Sequence, residues 1–536
     1  MAAKKMLAKA YAISLMGLAG TVVEVESEIS STLPGFVLVG LPDASLSESK
    51  DRVRAAIQNS GLKMPDRRVT VNLSPASVRK QGSSFDLAIA VSVMAAAGQL
   101  NASSVSDWVH LGELGLDGSV RRVTGILPAL LVAKAAGKKA AVVPRENFAE
   151  ASLVDGITVV SVEHFRQVAK MHGSTAIGDI DEAVENSPAP EPNSEIKQLD
   201  SFVNLDIADV LGQDDAIEAL VVAAAGGHHL LMVGPPGAGK TMMAERLPSL
   251  LPDLKIDQAL ETTAVVSVAG NRRITEGSLL LRPPFEAPHH TASVSSLVGG
   301  GLGTPRPGLI SLANNGVLFL DEAPEFMKPV LEALRQPLES GEVVINRSAG
   351  TAKFPARFQL VLAANPCPCG NAIGTAKSCR CSEQQKSKYL AKLSGPLLDR
   401  VDIRLQIQAV SPAQMAIARG NANSENGVSR RSAAMRDLVF TARQRAEARL
   451  ANTPWSTNSQ VPGSYLRKHF PLSASVGARL EKALDQGRIS MRGYDRCLRV
   501  AWSVSDLAGR DMPNEFDIAK AIFLRGSDDL LGIHHG

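Results

Sequence analysis

Eight consecutive residues, Gly234 to Thr241, combine glycine, lysine and threonine in a spacing suited to binding phosphate. The segment reads GPPGAGKT and follows an apolar stretch that ends at Val233. A G-x-x-x-x-G-K-T loop between a strand and a helix wraps its backbone N–H groups around a phosphate. We expect the Lys240 ammonium to reach the β- and γ-phosphate oxygens and the Thr241 hydroxyl to bind Mg²⁺. The full predicted loop is Gly234, Pro235, Pro236, Gly237, Ala238, Gly239, Lys240 and Thr241.

Two later strand-like segments end in polar groups that would serve the same chemistry. The run VLFL ends in Asp321 and Glu322, and FQLVLAAN ends in Asn365. We expect Asp321 to hold the Mg²⁺ shell, Glu322 to polarise the attacking water, and the Asn365 amide to orient that water. Hydrolysis generally also needs cations against the developing charge, although a single arginine is more often a surface residue. The candidate arginines are Arg400, Arg492 and Arg496.

Four of the five cysteines lie close together in the segment NPCPCGNAIGTAKSCRCS. Cys367, Cys369, Cys379 and Cys381 form a C-x-C, nine-residue, C-x-C arrangement, whereas Cys497 is distant. Four thiolates complete a tetrahedral shell for Zn²⁺ and leave no open position, which indicates a structural site. Reduced free thiols and an iron–sulfur cluster are the alternatives. The neighbouring pair His289 and His290 has no cysteine or glutamate pattern beside it, so no metal role is assigned to it.

The elements that position these residues fall into several regions. A chain of 536 residues exceeds a single core, so two or three domains are expected. Residues 1–172 alternate strand-like and helical stretches and predict an α/β or α+β domain. Residues 173–200 are acidic and proline-spaced and predict a linker. A second strand–helix pattern over 201–410 carries the motifs, and 411–536 is mostly helical. The predicted fold class is therefore multidomain α/β.

Composition and charge exclude few partners. The net charge of +3 is small for this length, and aromatic residues make up only 4%, which disfavours stacking as the main way of binding nucleic acid. No apolar run approaches the roughly 20 residues that span a bilayer. The N-terminal MAAKKMLAKAYAISLMGLAG has lysines before an apolar run, but Ser14 and Gly17 interrupt it and a strand pattern follows. Together with the single cysteine cluster, this predicts a mature, cytoplasmic protein without a membrane partner.

The motifs between 201 and 410 together resemble an AAA+ ATPase, and specifically the magnesium-chelatase-like YifB/ComM family. The resemblance is carried by LGQDDAIEALVVAAAGGHHLLMVGPPGAGKT, FEAPHHTASVSSLVGGG, PGLISLANNGVLFLDE, EALRQPLESGEVVINRSAG, FPARFQLVLAANPCPCG and LSGPLLDRVD. It implies ATP and Mg²⁺ as cofactors, a P-loop core with a parallel sheet, and a C-terminal helical lid. Asn365 then resembles sensor 1, Arg400 the arginine finger that acts on a neighbouring subunit, and Arg492 sensor 2. The implied active form is a ring of identical subunits, a hexamer.

The segment VVINRSAGTAKFPA reads as a β-hairpin, with alternating apolar residues on either side of an Arg-Ser-Ala-Gly turn. In this AAA+ group, a hairpin before sensor 1 points into the pore of the ring. Arg347 and Lys353 are then candidates for contacting the phosphates of DNA. A purely structural hairpin is the alternative.

The segments VRKQGSSFDLAIAV and GELGLDGSVRRVTGILPALLVAKAAGKKAAVVPREN resemble the Lon protease domain. Ser84 occupies the serine-like position, but the position of the catalytic lysine falls on Leu127. Lys134 lies two turns further along the predicted helix. Because a serine without a base is a poor nucleophile, we expect a Lon-like domain without peptidase activity.

Three functions remain open from the sequence. The family resemblance implies a ring motor on DNA, with helicase or branch-migration activity in the recombination of transforming DNA. A chelatase-type subunit that drives Mg²⁺ insertion into porphyrin, with porphyrin-chelatase subunits as partners, is the second. A protein-remodelling ATPase that uses residues 1–172 as an adaptor is the third.

Overall fold

The computed structural model describes residues 6–40, 44–78, 80, 82–177, 205–270, 278–301, 305–347, 350–372, 379–411, 413–414 and 431–526. Most of the predicted linker at 173–200 and the polar loop near 420–428 lie outside these residues. No helix in the described ranges has the length and apolar character needed to cross a bilayer.

The first region is a mixed seven-stranded sheet with helices against it, in the order β3-β4-β2-β1-β5-β8-β9. Its strands are β1 (Met6–Met16), β2 (Ala19–Ser30), β3 (Gly35–Val39), β4 (Arg68–Ser74), β5 (Trp108–His110), β6 (Glu113–Leu114), β7 (Val120–Arg121), β8 (Ala140–Pro144) and β9 (Thr158–Val162), where β6 and β7 form a separate pair. Its helices are α1 (Ala44–Asn59), α2 (Asp86–Ala96), α3 (Ala102–Ser106), α4 (Ile126–Ala135), α5 (Phe148–Ala151) and α6 (Phe165–Met171). The predicted alternation of strands and helices is therefore present.

Most of the N-terminal apolar run that follows the lysines forms strand β1. It pairs antiparallel with β2 across a tight turn at Gly17, whose φ is +68°. Alternate residues of β1, such as Ala8, Ala10 and Ala12, are buried, as expected for a strand that packs one face on a core. Above this face lies α2, which is buried along its whole length. Its buried Asp86 forms an ion pair of 2.7 Å with Arg52.

The second region is built on a five-stranded parallel sheet in the order β11-β14-β17-β10-β18. Its strands are β10 (Leu230–Val233), β11 (Phe285–Glu286), β12 (Gly299–Gly300), β13 (Arg306–Pro307), β14 (Val317–Leu320), β15 (Glu342–Arg347), β16 (Gly350–Pro355), β17 (Gln359–Ala364) and β18 (Ile403–Gln406). Its helices are α7 (Asp214–Gly226), α8 (Lys240–Leu250), α9 (Ile256–Ala269), α10 (Val294–Val298), α11 (Leu309–Leu312), α12 (Lys328–Ala333), α13 (Arg335–Ser340), α14 (Glu383–Leu390) and α15 (Gly395–Leu398).

The three central strands of this sheet, β14, β17 and β10, are buried at every residue. Continuous apolar runs of this kind are typical of parallel strands that are covered on both faces. The register pairs Val233 with Ala364 and Leu320 with Leu362, so the three carboxyl ends lie side by side. This alignment determines where the chemically active side chains meet.

The last described region is helical, and it shares a core with the parallel sheet. Its helices are α16 (Ser432–Arg449), α17 (Gly463–His469), α18 (Ala474–Asp485), α19 (Met491–Leu507) and α20 (Glu515–Arg525). Buried Val439, Cys497 and Ile518 belong to the same apolar cluster as Met232 of β10. In the basic helix α16, Arg443 points into the molecule and donates to the Ala224 carbonyl at 2.7 Å.

Among the described residues, the contacts between the first region and the second include the following two. The Gly125 N–H donates to the Ser267 carbonyl at 3.2 Å, which joins the start of α4 to α9. The turn at Gly17 packs so closely on β16 that a Cβ there would lie 2.7 Å from the Lys353 carbonyl oxygen. Strands β15 and β16 form a hairpin that pairs Glu342 with Pro355 and Arg347 with Gly350. This hairpin therefore packs against the first region.

Candidate functional site

The carboxyl ends of β10, β17 and β14 bring together Gly234, Asn365 and Asp321. Because β17 lies between the other two strands, Asn365 lies between the loop after β10 and the acid pair after β14. The sequence predicts that the Asn365 amide orients the attacking water, and the strand order places this amide next to both of the other strand ends. The P-loop-like segment and both predicted strand ends thus meet at one edge of the sheet.

The glycine loop after β10 has the open, curved backbone that a phosphate site needs. Gly237 and Gly239 have φ values of +74° and +84°, in the left-handed region that glycine tolerates, and a Cβ at either would meet nothing within 4 Å. Gly234 is enclosed instead, since a Cβ there would lie 2.5 Å from the Ile407 carbonyl oxygen. Helix α8 begins at Lys240, so its N-terminal N–H groups and positive dipole end face the loop.

Lys240 is the buried cation of this site, with only 8% of its surface exposed. Its ammonium donates to the carbonyls of Gly234 at 2.6 Å and Pro235 at 3.0 Å, and to Asn365 Oδ1 at 3.1 Å. Among the described residues, no carboxylate forms an ion pair with it. Burial lowers the pKa of Lys240 from its usual 10.5. A buried ammonium held only by neutral oxygens fits an anionic ligand in the open loop beside it.

Thr241 and Asp321 form a polar pair suited to Mg²⁺. The Thr241 hydroxyl donates to Asp321 Oδ2 at 2.6 Å, and the other carboxylate oxygen accepts from the Glu322 N–H at 2.9 Å. Hydroxyl and carboxylate oxygens are the ligands that Mg²⁺ takes from proteins, alongside phosphate oxygens. The Thr241 and Asp321 oxygens therefore suit the predicted Mg²⁺. The Lys240 ammonium, which no described carboxylate pairs, suits the phosphates of the predicted ATP.

Glu322 has a strained backbone and a neighbour that the sequence did not predict. Its φ of 49° and ψ of 43° are left-handed values, uncommon for a residue with a Cβ, and such strain concentrates at functional sites. The Nδ1 atom of His290 lies 3.7 Å from the Glu322 carboxylate. The sequence assigns His290 no metal role, because no cysteine or glutamate pattern lies beside it. Its contact with Glu322 depends instead on β11 lying beside β14. The two-residue length of β11 gave little sequence signal for that pairing.

Arg400 and Arg492 lie at the opposite end of the sheet. Both line a cleft of about 960 Å³ that also contains His229, at the amino end of β10. Arg400 forms an ion pair with Glu339, and Arg492 with Asp399 at 2.5 Å. The two arginines therefore face away from the P-loop edge of their own chain, and Glu339 is a partner that the sequence did not identify.

Arg496 has a different role from the two arginines above. It forms an ion pair of 2.7 Å with Asp402, which is fully buried and also contacts His228 at 3.0 Å. Burial raises the pKa of Asp402, but the Arg496 charge and the hydrogen bond with His228 outweigh burial. Together they hold this pKa well below its usual range. Arg496 thus joins α19 to the start of β18.

The hairpin β15–β16 places Arg347 and Lys353 on its two strands, and both are exposed. Lys353 forms a surface ion pair of 3.4 Å with Glu342. The turn residues 348–349 lie outside the described part of the chain. The predicted hairpin is present, and its cations are accessible.

The four cysteines of the cluster converge, although 373–378 between them are outside the described ranges. Their sulfur atoms all lie within 4.8 Å of one another, with separations of 3.3 Å for Cys367–Cys369 and 3.7 Å for Cys369–Cys379. A tetrahedron of sulfurs at the usual Zn–S distance has edges of about 3.8 Å. Backbone N–H donors, chiefly that of Asn371, lower the pKa of Cys369 to about 6, which favours a thiolate. The donor set fits a single tetrahedral ion such as Zn²⁺.

In the first region, the lysines near Ser84 in the described residues are engaged elsewhere or distant. Leu127 is fully buried in α4, and Lys134 lies near Gly156. In the described ranges no lysine donates a hydrogen bond to the Ser84 hydroxyl, and the buried Lys80 donates to the Pro75 carbonyl instead. Within the described part of the chain, no lysine is therefore placed to accept the proton of the Ser84 hydroxyl.

Three family models match this chain. "Magnesium chelatase, subunit ChlI" matches residues 206–415, "Subunit ChlI of Mg-chelatase" matches 25–147, and "Magnesium chelatase, subunit ChlI C-terminal" matches 429–525.

Several curated proteins are similar over almost their full length. An uncharacterized protein of Mycobacterium tuberculosis is 47% identical over 522 residues, which is 97% of this chain and 98% of that protein. The competence protein ComM of Haemophilus influenzae is 39% identical over 526 residues, 98% of each chain. The uncharacterized protein YifB of Escherichia coli is 36% identical over 517 residues, 96% of each.

Proposed function

Because this chain belongs to the magnesium-chelatase-like family that includes YifB and ComM, we propose that it is an AAA+ ATPase that moves DNA through a ring of identical subunits. The observation that carries the ATPase proposal is the buried Lys240 ammonium beside an open glycine loop, with the Thr241–Asp321 pair next to it. Anionic phosphate and a divalent cation are complementary to these two features.

The site residues divide the chemistry among them. Bound ATP and Mg²⁺ would supply the phosphoanhydride bond and the cation that neutralises its charge. The loop N–H groups and Lys240 would bind the phosphates, and Thr241 and Asp321 would hold the cation. Glu322 would accept the proton of the attacking water, and Asn365 would orient that water. His290, through its contact with Glu322, would hold that carboxylate in place.

The position of the two cleft arginines supports a ring. Arg400 and Arg492 lie at the amino ends of the strands, whereas the P-loop lies at their carboxyl ends. A cation on that face can reach an ATP site only on another subunit. We therefore assign Arg400 as the arginine finger and Arg492 as sensor 2, both acting on the ATP site of a neighbouring subunit. The proposed assembly is a hexameric ring of identical subunits.

DNA is the proposed substrate. The exposed cations Arg347 and Lys353 lie on a hairpin between the Asp321 and Asn365 strands, where they would contact backbone phosphates. The related protein of Haemophilus influenzae is named as a competence protein. In line with the family resemblance, the proposed activity is helicase or branch migration on transforming DNA.

The remaining domains are proposed to support the motor. We propose a Lon-like α+β domain without peptidase activity at 1–172, a linker at 173–200, the AAA+ core at 201–410 and a helical lid at 411–536. Zn²⁺ in the four-cysteine cluster would be a structural ion, and metal analysis would separate it from iron or from free thiols.

The decisive experiment measures ATP hydrolysis with three candidate stimulants: forked DNA, porphyrin-chelatase subunits and an unfolded protein. Forked DNA should stimulate hydrolysis, and the double variant Arg347→Ala with Lys353→Ala should lose that stimulation while keeping the basal rate. An Arg145→Ala chain, which removes an exposed arginine from the first region, is the control. Stimulation by the porphyrin subunits or the unfolded protein alone would instead favour the chelatase or the remodelling function.

A further inference from the structure

The segment that carries Cys367 and Cys369 also packs against the P-loop. Gly370 is buried against Pro236, and a Cβ at Gly370 would lie 2.6 Å from Pro236 Cδ and 2.7 Å from its Cγ. Its φ of +79° places it in the left-handed region, where glycine is favoured. Gly370 therefore makes a close approach that a larger residue at this position would prevent.

The same segment touches the P-loop a second time, at its other end. Asn365 Oδ1 accepts from the Lys240 ammonium at 3.1 Å. Between the two contact points lie Cys367, which is fully buried, and Cys369. The Gly370 N–H donates to the Cys367 carbonyl at 2.9 Å, which closes the segment into a turn. The cluster cysteines thus sit between the two points at which this segment holds the P-loop.

The second cysteine pair anchors the cluster to a different element. Cys381 immediately precedes Ser382, the N-cap residue of α14, whose hydroxyl accepts from the Gln385 N–H at 3.2 Å. Tyr389 and Leu390 at the end of α14 are buried in the core that includes β17 and β14. An ion shared by both pairs would therefore tie the short segment at 365–370 to a helix fixed in the core.

We propose that the four-cysteine cluster is a metal-dependent clasp that holds the P-loop in its nucleotide-binding shape. A tetrahedral ion bonded to all four sulfurs fixes the positions of Asn365 and Gly370, and these two residues fix Lys240 and Pro236. Without the ion, thiols that meet at 3.3 to 3.9 Å have only weak S–H hydrogen bonds to hold them together. Loss of the ion would then loosen the loop and weaken nucleotide binding. This inference rests on the proposed nucleotide site.

The first test compares metal content with nucleotide affinity in the full-length chain. Elemental analysis should find one zinc per wild-type chain, and fluorescence titration with mant-ADP and Mg²⁺ gives the Kd. Cys379→Ser should lose the zinc and raise this Kd at least tenfold. Cys497→Ala, which removes the buried cysteine outside the cluster, should keep both the zinc and the wild-type Kd.

The second test leaves all four thiols in place. Gly370→Ala should keep the zinc but raise the Kd for mant-ADP, because the added methyl group overlaps the Pro236 ring. Adding Pro236→Ala to that variant removes the overlapping ring atoms and should restore part of the affinity. This pair does not depend on the folding of a cysteine variant.

The possible results separate the clasp from the proposed ATPase. A wild-type chain without metal, a zinc-free Cys379→Ser chain with wild-type Kd, or a Gly370→Ala chain with wild-type Kd would each overturn the clasp and leave the nucleotide site standing. A zinc-loaded wild-type chain that does not bind mant-ADP would overturn the proposed function itself.

Discussion

Replacing Lys240 with methionine tests the physical basis of the nucleotide site. The substitution keeps most of the apolar stem and removes only the ammonium, which the structure surrounds with the carbonyls of Gly234 and Pro235 and the amide of Asn365. In the nucleotide-free protein this charge is buried against neutral acceptors, and its lowered pKa reports the cost of that burial. The ammonium is therefore expected to matter for binding much more than for folding.

The expected magnitudes follow from hydrogen-bond energies. If two of the three ammonium N–H donors bind phosphate oxygens, at about 1.5–3 kcal/mol each, their loss costs about 3–6 kcal/mol of binding free energy. That corresponds to roughly 10²- to 10⁴-fold weaker binding. In the nucleotide-free protein, Lys240→Met loses three hydrogen bonds to neutral groups. The variant also no longer buries an ammonium charge, and this gain offsets that loss. The free energy of unfolding should then change by no more than about 1 kcal/mol.

The assay combines calorimetric titration of ATP with urea unfolding of the nucleotide-free chain. Lys388→Met, which removes an exposed lysine from α14, is the matched control and should leave both measurements unchanged. Binding of ATP to Lys240→Met within threefold of wild type would refute the assignment of the ammonium to phosphate. A loss of several kcal/mol of stability would show instead that Lys240 is a structural residue.

Four further outcomes are expected. Burial lowers the pKa of Lys240 below 10.5, and a bound phosphate would raise it again. ATP affinity should therefore fall as the pH rises through the lowered pKa of the nucleotide-free protein. At such pH, calorimetry in buffers of different ionisation enthalpy should detect proton uptake on ATP binding, and Lys240→Met should lack this uptake. Glu322→Gln should bind ATP normally but turn over roughly 10²- to 10⁴-fold more slowly, and a normal rate would exclude it as the base. His290→Ala should lower kcat with little change in KM, whereas unchanged kcat would show that its 3.7 Å contact with Glu322 is incidental. Arg400→Ala should bind ATP but hydrolyse it slowly. In mixed rings, Lys240→Met subunits could supply their intact Arg400 to the ATP sites of Arg400→Ala subunits. Activity should therefore recover on mixing only if Arg400 acts across a subunit interface.

The residues of the proposed nucleotide site could be found in the sequence because each motif is a short run of adjacent residues. An apolar strand followed by glycines and lysine, or by two acids, specifies its own local geometry. Carboxyl ends of parallel strands meet at one edge, and the register of β10, β14 and β17 places them side by side. The convergence of the four cysteines was likewise indicated by their spacing alone, and the distances among the sulfurs agree with it.

Contacts between distant parts of the chain could not be predicted in this way. The approach of Gly370 to Pro236 and the position of His290 beside Glu322 depend on how loops from different strands pack over the sheet edge. Similarly, only the tertiary arrangement shows that Arg400 faces away from its own P-loop. Local patterns along a chain determine which groups are available and which strand end carries them. The packing of elements far apart in sequence decides which of those groups touch, because that packing depends on the shape of the whole core rather than on any one segment.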